Sequence, residues 1–243
     1  MTPPPGPDRS RPSATGELDT TDSAQPTPLA PSSAAVIGGI YPILDAGWFD
    51  SGGIDPVIVA QKLGELPIPL VQLRAKTTAR EAYRFMASWM SILRSHSPNL
   101  KVIINDRVDL ALALDADGVH VGQEDLSPQV CRKLLGPGKI IGLSTHSPQE
   151  LTRGIGSGAD YFGYGPVYQA GAKSDALSPR GLSMLEQICR MSPLPVVAIG
   201  GIGVDQLPEI AKSGAAAAAM ISALFPRGET DKLTQAVTTW HPS

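Results

Sequence analysis

VIINDRVDLALALDADGVHVGQED, residues 102–125, sets two short apolar runs on either side of one amphipathic segment. Val102-Ile103-Ile104 runs into Asn105-Asp106-Arg107, and Val119-His120-Val121 runs into Gly122-Gln123-Glu124-Asp125. Between them, Val108–Leu114 has the spacing of a helix. Strands that are apolar at nearly every position are buried on both faces, as parallel strands covered by helices must be. Each of these two strands ends beside a carboxylate, Asp106 or Asp125. The stretch therefore reads as strand, helix, strand, with charge where the strands leave the core.

The same alternation extends in both directions. Strands are expected at Gly39–Leu44, Leu70–Leu73, Val102–Asn105, Gly118–Val121, Ile140–Ser144, Tyr161–Gly165, Val196–Gly200 and Ala217–Ser222. Helices are expected at Pro56–Gly64, Ala79–Ser95, Val108–Leu114, Pro128–Leu135, Pro148–Gly156, Leu182–Met191, Gln206–Lys212 and Asp231–Thr239. Ser127-Pro128 and Ser147-Pro148 pair a capping hydroxyl with proline at the first helical position, and Gly214 suits a helix C-terminus. Strict alternation over eight units predicts an α/β fold of one closed (β/α)8 barrel, a TIM barrel, over residues 35–243. An open doubly wound sheet is the competitor, but no Gly-x-Gly-x-x-Gly follows the first strand.

Residues 1–34 differ in kind. They are rich in Pro, Ser and Thr, and the first aromatic residue of the chain is Tyr41. Such a segment buries too little apolar surface to offset the entropy of ordering, so a disordered tail is expected. It lacks the apolar core of a secretory signal, and its acids argue against a transit peptide. A formal net charge of −3 gives no reason to expect nucleic-acid or membrane-surface binding. The longest apolar stretch, Ala215–Ile221, is too short to span a bilayer. Cys131 and Cys189 show no paired motif and read as free thiols of a reducing cytoplasm. The oligomeric state, including a homo-oligomer, is left open.

A barrel gathers its functional groups at the C-terminal ends of its strands. The groups expected there are Gln72, Arg74, Lys76, Asn105, Asp106, Asp125, Ser144, Lys173, Gly200, Gly201, Ile221 and Ser222. Asp106 and Asp125 follow neighbouring strands and suit Mg2+, which takes one or two protein carboxylates and fills its octahedron with water and phosphate. The plain alternative is that each caps the helix that follows it. Arg74 and Lys76 project the same way and suit a diphosphate; solvated surface charge is the alternative. Gly200-Gly201 lets the backbone approach a phosphate. His120 reads as a hydrogen-bonded core residue. No zinc spacing and no nucleophile elbow is present.

At these residues the chain resembles the thiamine-phosphate synthases, from about Gly39 to Phe225. The matching motifs are Gln72-Leu73-Arg74-Ala75-Lys76, Asn105–Ala111, Asp117–Leu126, Gly142–His146, Ala198–Ile202 and Met220–Ala223. The resemblance implies that hydroxymethylpyrimidine diphosphate joins thiazole phosphate, giving thiamine phosphate and pyrophosphate. It implies that Arg74, Lys76, Asn105 and Lys173 bind the diphosphate, with Gln72 near the pyrimidine. Asp106 and Asp125 would hold Mg2+, and Ser144 would contact the pyrimidine diphosphate. Gly201, Ile221 and Ser222 would hold the thiazole phosphate. Catalysis would fall to Arg74, Lys173 and Ser144. One departure stands out: the family's Thr-x-Thr-Lys after the sixth strand is here Ala170-Gly171-Ala172-Lys173. Competing readings are a thiazole tautomerase, which tends to lose the magnesium acids, a Schiff-base lyase using Lys76 or Lys173, and a non-catalytic binder of thiamine precursors.

Overall fold

The computed structural model describes residues 36–169, 178–226 and 229–241, together with residue 2. The expected tail over residues 1–34, that one residue aside, lies outside the described residues. So do Ala170, Gly171, Ala172 and Lys173.

The eight strands are β1 (Gly39–Asp45), β2 (Leu70–Arg74), β3 (Lys101–Asn105), β4 (Gly118–Val121), β5 (Ile140–Thr145), β6 (Tyr161–Tyr164), β7 (Val196–Ile199) and β8 (Ala217–Met220). Each pairs in parallel with its sequence neighbours, and β1 pairs with β8 to close the barrel. The helices are α1 (Ala46–Gly52), α2 (Pro56–Glu65), α3 (Ala79–His96), α4 (Val108–Ala113), α5 (Pro128–Leu135), α6 (Pro148–Gly154), α7 (Leu182–Met191), α8 (Leu207–Lys212) and α9 (Asp231–Thr239). No helix among the described residues is long and apolar enough to cross a membrane.

Period-two alternation splits the core into two layers. Ile40, Leu44, Val102, Ile104, Val196 and Ala198 join the large layer shared with the helices. Tyr41, Ile43, Ile103, Tyr161, Val197, Ala217 and Ala219 form the barrel interior. Tyr41 is in register with Ala219, so a large side chain on β1 meets a small one on β8.

The helix starts follow their sequence signals. Ser127 accepts from the Val130 N–H and Ser147 from the Glu150 N–H, each with proline in the first turn. Thr78 and Glu81 close a reciprocal capping box at the start of α3. Gly214 has φ +87°, as a left-handed position after α8 requires.

Helix α1 was not expected. Its seven residues, Ala46–Gly52, are too few for a periodic signal, and distant contacts hold it. Trp48 Nε1 donates to the Phe225 carbonyl at 3.0 Å, and Phe49 packs against Trp89 and Phe225 at ring-centroid distances of 5.1 and 5.3 Å.

At the N-terminal end of the barrel, two carboxylates each tie a pair of neighbouring strands together. Asp117, just before β4, accepts from the Val102 N–H of β3 at 2.9 Å and pairs with Arg94 and Lys101 at 2.8 and 3.1 Å. Asp160, just before β6, accepts from the Ile141 N–H of β5 at 2.7 Å and pairs with Arg132 at 2.8 Å. Burial alone would raise the Asp117 carboxyl, but the Val102 N–H, Arg94 and Lys101 outweigh it and hold it below the usual carboxylate range.

Candidate active site

The opposite end opens into a cavity of about 780 Å³. Its walls come from strand ends and the loops after them, as the barrel dictates. Gln72, Arg74, Lys76, Asn105, Asp106, Asp125, Ser144, Gly200 and Ile221 all line it. Gly201 and Ser222 follow wall residues but are not themselves in the walls, and Ser222 is exposed.

Asp106 sits at φ +62°, an unusual conformation for a residue other than glycine. Its N–H donates to the His120 carbonyl at 2.8 Å, which fixes this backbone against β4. It does not cap α4: Arg107 occupies the cap position, and no side chain bonds there. Asp125 does not cap α5 either, since Ser127 does. Instead Asp125 accepts from the Gly122 N–H at 2.7 Å within its own loop. The two carboxyls lie within hydrogen-bonding reach of each other. Burial and the neighbouring Asp125 charge push the Asp106 carboxyl up, against the pull of Lys76 and Arg74.

Arg74 is held by Asp45, its register partner on β1, through a salt bridge. That carboxylate also accepts from the Trp48 N–H at 3.3 Å, so one residue starts α1 and aims the guanidinium. Lys76 forms none of the described ion pairs. Gly200, at φ +99°, passes so close to the loop after β6 that an added Cβ would lie 2.5 Å from the Pro166 Cα. Gln123 Nε2 donates to the Ser144 carbonyl at 2.6 Å, joining the β4 loop to the end of β5. His146 Nδ1 meets Glu150 at 2.9 Å on the same rim.

His120 Nε2 lies 2.8 Å from Ser144 Oγ, which resembles a nucleophile with its base. The rest of such a triad is missing. Nδ1 meets the Tyr161 hydroxyl at 2.9 Å, not a carboxylate. Burial lowers the imidazole to about 4, leaving it neutral and a poor base at pH 7. The cavity is thus rich in charge, and His120 with Ser144 does not make a nucleophile and base within it. Among the described residues, no group of three or more His, Cys, Asp or Glu is arranged to hold a metal.

With this geometry in view, comparison with known proteins is specific. The thiamine monophosphate synthase family profile matches residues 40–224, the whole barrel from β1 to the turn after β8. The chain belongs to that family. A thiamine-phosphate synthase of Anaeromyxobacter dehalogenans is 39% identical over 191 residues, covering 79% of this chain and 82% of that protein. One from Desulfitobacterium hafniense is 44% identical over 175 residues, covering 72% of this chain and 84% of its own length. Among solved structures, a thiamine phosphate pyrophosphorylase from Pyrococcus furiosus superimposes with a TM-score of 0.67 at 32% identity, covering 82% of this chain and 95% of that one.

Set against this thiamine monophosphate synthase family, the barrel and the convergence of its strand-end residues follow from the sequence reading. Lys173 lies outside the described residues. Asp45, Tyr41 and Tyr161 went unrecognised. Asp45 carried a signal, since a carboxylate closing the first strand of a barrel is in the right place for a site. The tyrosines carried none beyond their inward parity. His120 is the hydrogen-bonded interior residue it was expected to be, but it also lines the cavity.

Proposed function

We propose that this protein is a thiamine-phosphate synthase, joining hydroxymethylpyrimidine diphosphate to thiazole phosphate with release of pyrophosphate. The observation that carries the reading is the cavity's charge arrangement: Arg74 and Lys76 stand on β2 and its loop, beside Asp106 and Asp125 after the adjoining strands β3 and β4. In the reaction, the bond between the pyrimidine methylene carbon and the diphosphate oxygen breaks, and its electron pair leaves with pyrophosphate. The thiazole nitrogen lone pair then forms the new carbon–nitrogen bond. No proton must be removed, so the neutral His120 need not act as a base.

Arg74, braced by Asp45, and Lys76 offset charge developing on the leaving oxygens; Lys173 is assigned the same task from its motif. Asn105 and Ser144 hydrogen-bond the diphosphate end, and Gln72 fixes the pyrimidine. Gly201, Ile221 and Ser222 serve the thiazole phosphate. Asp106 and Asp125 suit Mg2+ on chemical grounds: both are hard oxygen donors, and the burial and repulsion that raise Asp106 are relieved by a cation between them. Bound there, the ion supplies charge neutralisation for phosphate oxygens. The two free thiols, Cys131 and Cys189, suit a reducing cytoplasm.

The test is the full chain incubated with both substrates. Thiamine phosphate and pyrophosphate should form in equal amounts with Mg2+ present and cease to form with chelator. No product from folded protein, or turnover indifferent to chelator, would overturn the activity or the metal assignment respectively.

A further inference from the structure

Five side chains from five strands form a continuous hydrogen-bond chain across the cavity floor. Gln72 Nε2 donates to the Tyr41 hydroxyl at 3.2 Å, and the Tyr41 and Tyr161 hydroxyls lie 3.0 Å apart. The Tyr161 hydroxyl is 2.9 Å from His120 Nδ1, and His120 Nε2 is 2.8 Å from Ser144 Oγ. Both tyrosines are buried, at 1% and 0% exposure, so their hydroxyls cost stability unless each is bonded. The packing is built around them. A Cβ on Gly142 would lie 2.2 Å from the Tyr161 ring and 2.3 Å from His120 Nδ1, so β5 is bare where the chain crosses it. His120 also stacks on Tyr161, with ring centroids 5.4 Å apart.

Counting protons gives the chain a direction. Each phenol has one proton, and a neutral imidazole has one N–H. With Gln72 donating to Tyr41, the Tyr41 proton goes to Tyr161, and the Tyr161 proton to His120 Nδ1. The imidazole proton must then sit on Nε2 and donate to Ser144. Ser144 is left with its own proton free. In the reverse direction Ser144 would spend its proton on His120 and offer only lone pairs to the cavity.

We propose that Tyr41 and Tyr161 are positioning residues that lock His120 as the Nε2–H tautomer, so that Ser144 donates its hydroxyl to an anionic oxygen of the bound ligand. This rests on the reading of the cavity as a diphosphate site. The tautomer itself can be read without any turnover, so the two ideas fail separately.

The experiment is imidazole 15N spectroscopy of the histidine-labelled full chain near pH 7, with His120 assigned through His120→Gln. Wild type should show the Nε2–H tautomer, and Tyr161→Phe should lose it. Steady-state kinetics of Tyr161→Phe, Ser144→Ala and the double variant completes the test. Each single change should cut kcat/KM by about 10- to 100-fold, the worth of one hydrogen bond to a charged group. The double variant should be no worse than Ser144→Ala alone, because Tyr161 acts through Ser144. An Nδ1–H tautomer in wild type overturns the proposal, whether or not Tyr161→Phe folds. Fully multiplicative losses in folded variants overturn it too, since they would make Tyr161 a packing residue only.

Discussion

Two cavities of nearly equal size open at opposite ends of this barrel, about 780 Å³ above the strand C-termini and about 730 Å³ below their N-termini. The upper one is lined by Arg74, Lys76, Asp106, Glu124, Asp125 and Glu150 among others, whereas among the described residues no Asp, Glu, Lys or Arg lines the lower one. Carboxylates near the lower end are consumed by the fold. Asp117 and Asp160 each clamp a neighbouring strand's N–H and an arginine. At the upper end, burial and the neighbouring Asp125 charge raise Asp106 against the pull of Lys76 and Arg74, whereas Asp117 is lowered. The same side chain thus does two jobs. What separates them is how directly the protein bonds the carboxylate: Asp117 is held by an N–H and two ion pairs, whereas Asp106 forms none of the described ion pairs, as suits a site that takes a ligand.

The difference can be broken most severely at the metal pair. Asp125→Ala should cut turnover by about 100- to 1,000-fold, comparable to deleting a major transition-state charge contact, with the far-ultraviolet spectrum unchanged. Steady-state rates under saturating Mg2+ check this, and near-normal turnover would return Asp125 to a loop-bracing role through Gly122. A smaller effect is expected from Asp45→Asn, which leaves Arg74 in place but unbraced. kcat should fall by about tenfold with KM changing less, because the guanidinium matters most as charge develops on the leaving group. An effect on KM alone would make Arg74 a binding residue.

Opposite pKa displacements should give opposite pH dependences in metal-free protein. Asp117, held low, contributes stability that is complete above 3.8 and is lost as pH falls through its lowered folded value. Asp106, held high, costs stability while ionised, so acidification toward 3.8 relieves the fold. The Tm difference between wild type and Asp106→Asn should therefore close above pH 3.8, and that for Asp117→Asn only below it. Parallel curves would contradict the contrast. The smallest effect is expected at the departure from the family motif. Ala170→Thr with Ala172→Thr should raise kcat/KM by about tenfold or less, since each new hydrogen bond partly replaces one from water. No gain in a folded double variant would mean that other groups already serve the diphosphate there.

How much of this was readable in the chain depends on the physics behind each feature. The strands and most helices were legible, because burial on both faces and helical spacing write directly into residue order; Val102–Asn105 and Pro128–Leu135 are examples. Asp106 and Asp125 were legible for the same reason, as charges placed where buried strands end. Helix α1 was not, because Trp48 and Phe49 owe their positions to Phe225, far along the chain. Nor was the bond network of Tyr41, Tyr161 and His120. Parity shows that such residues point inward, but not that a bare Gly142 lets them meet.

The contrast between the two ends is tested most directly by measuring melting and turnover on the same two variants, Asp106→Asn and Asp117→Asn. In metal-free buffer at pH 7, Asp106→Asn should melt at or slightly above wild type, yet lose about 100-fold or more in turnover once Mg2+ and both substrates are added. Asp117→Asn should lose about 1–2 kcal/mol of stability, a fall in Tm of roughly 2–8 °C, as expected for weakening a part-buried carboxylate whose Arg94 and Lys101 partners are screened by solvent. Below its melting range it should keep wild-type turnover per folded molecule. An Asp106→Asn variant that unfolds easily and still turns over, or an Asp117→Asn variant that is stable and inactive, would contradict the account.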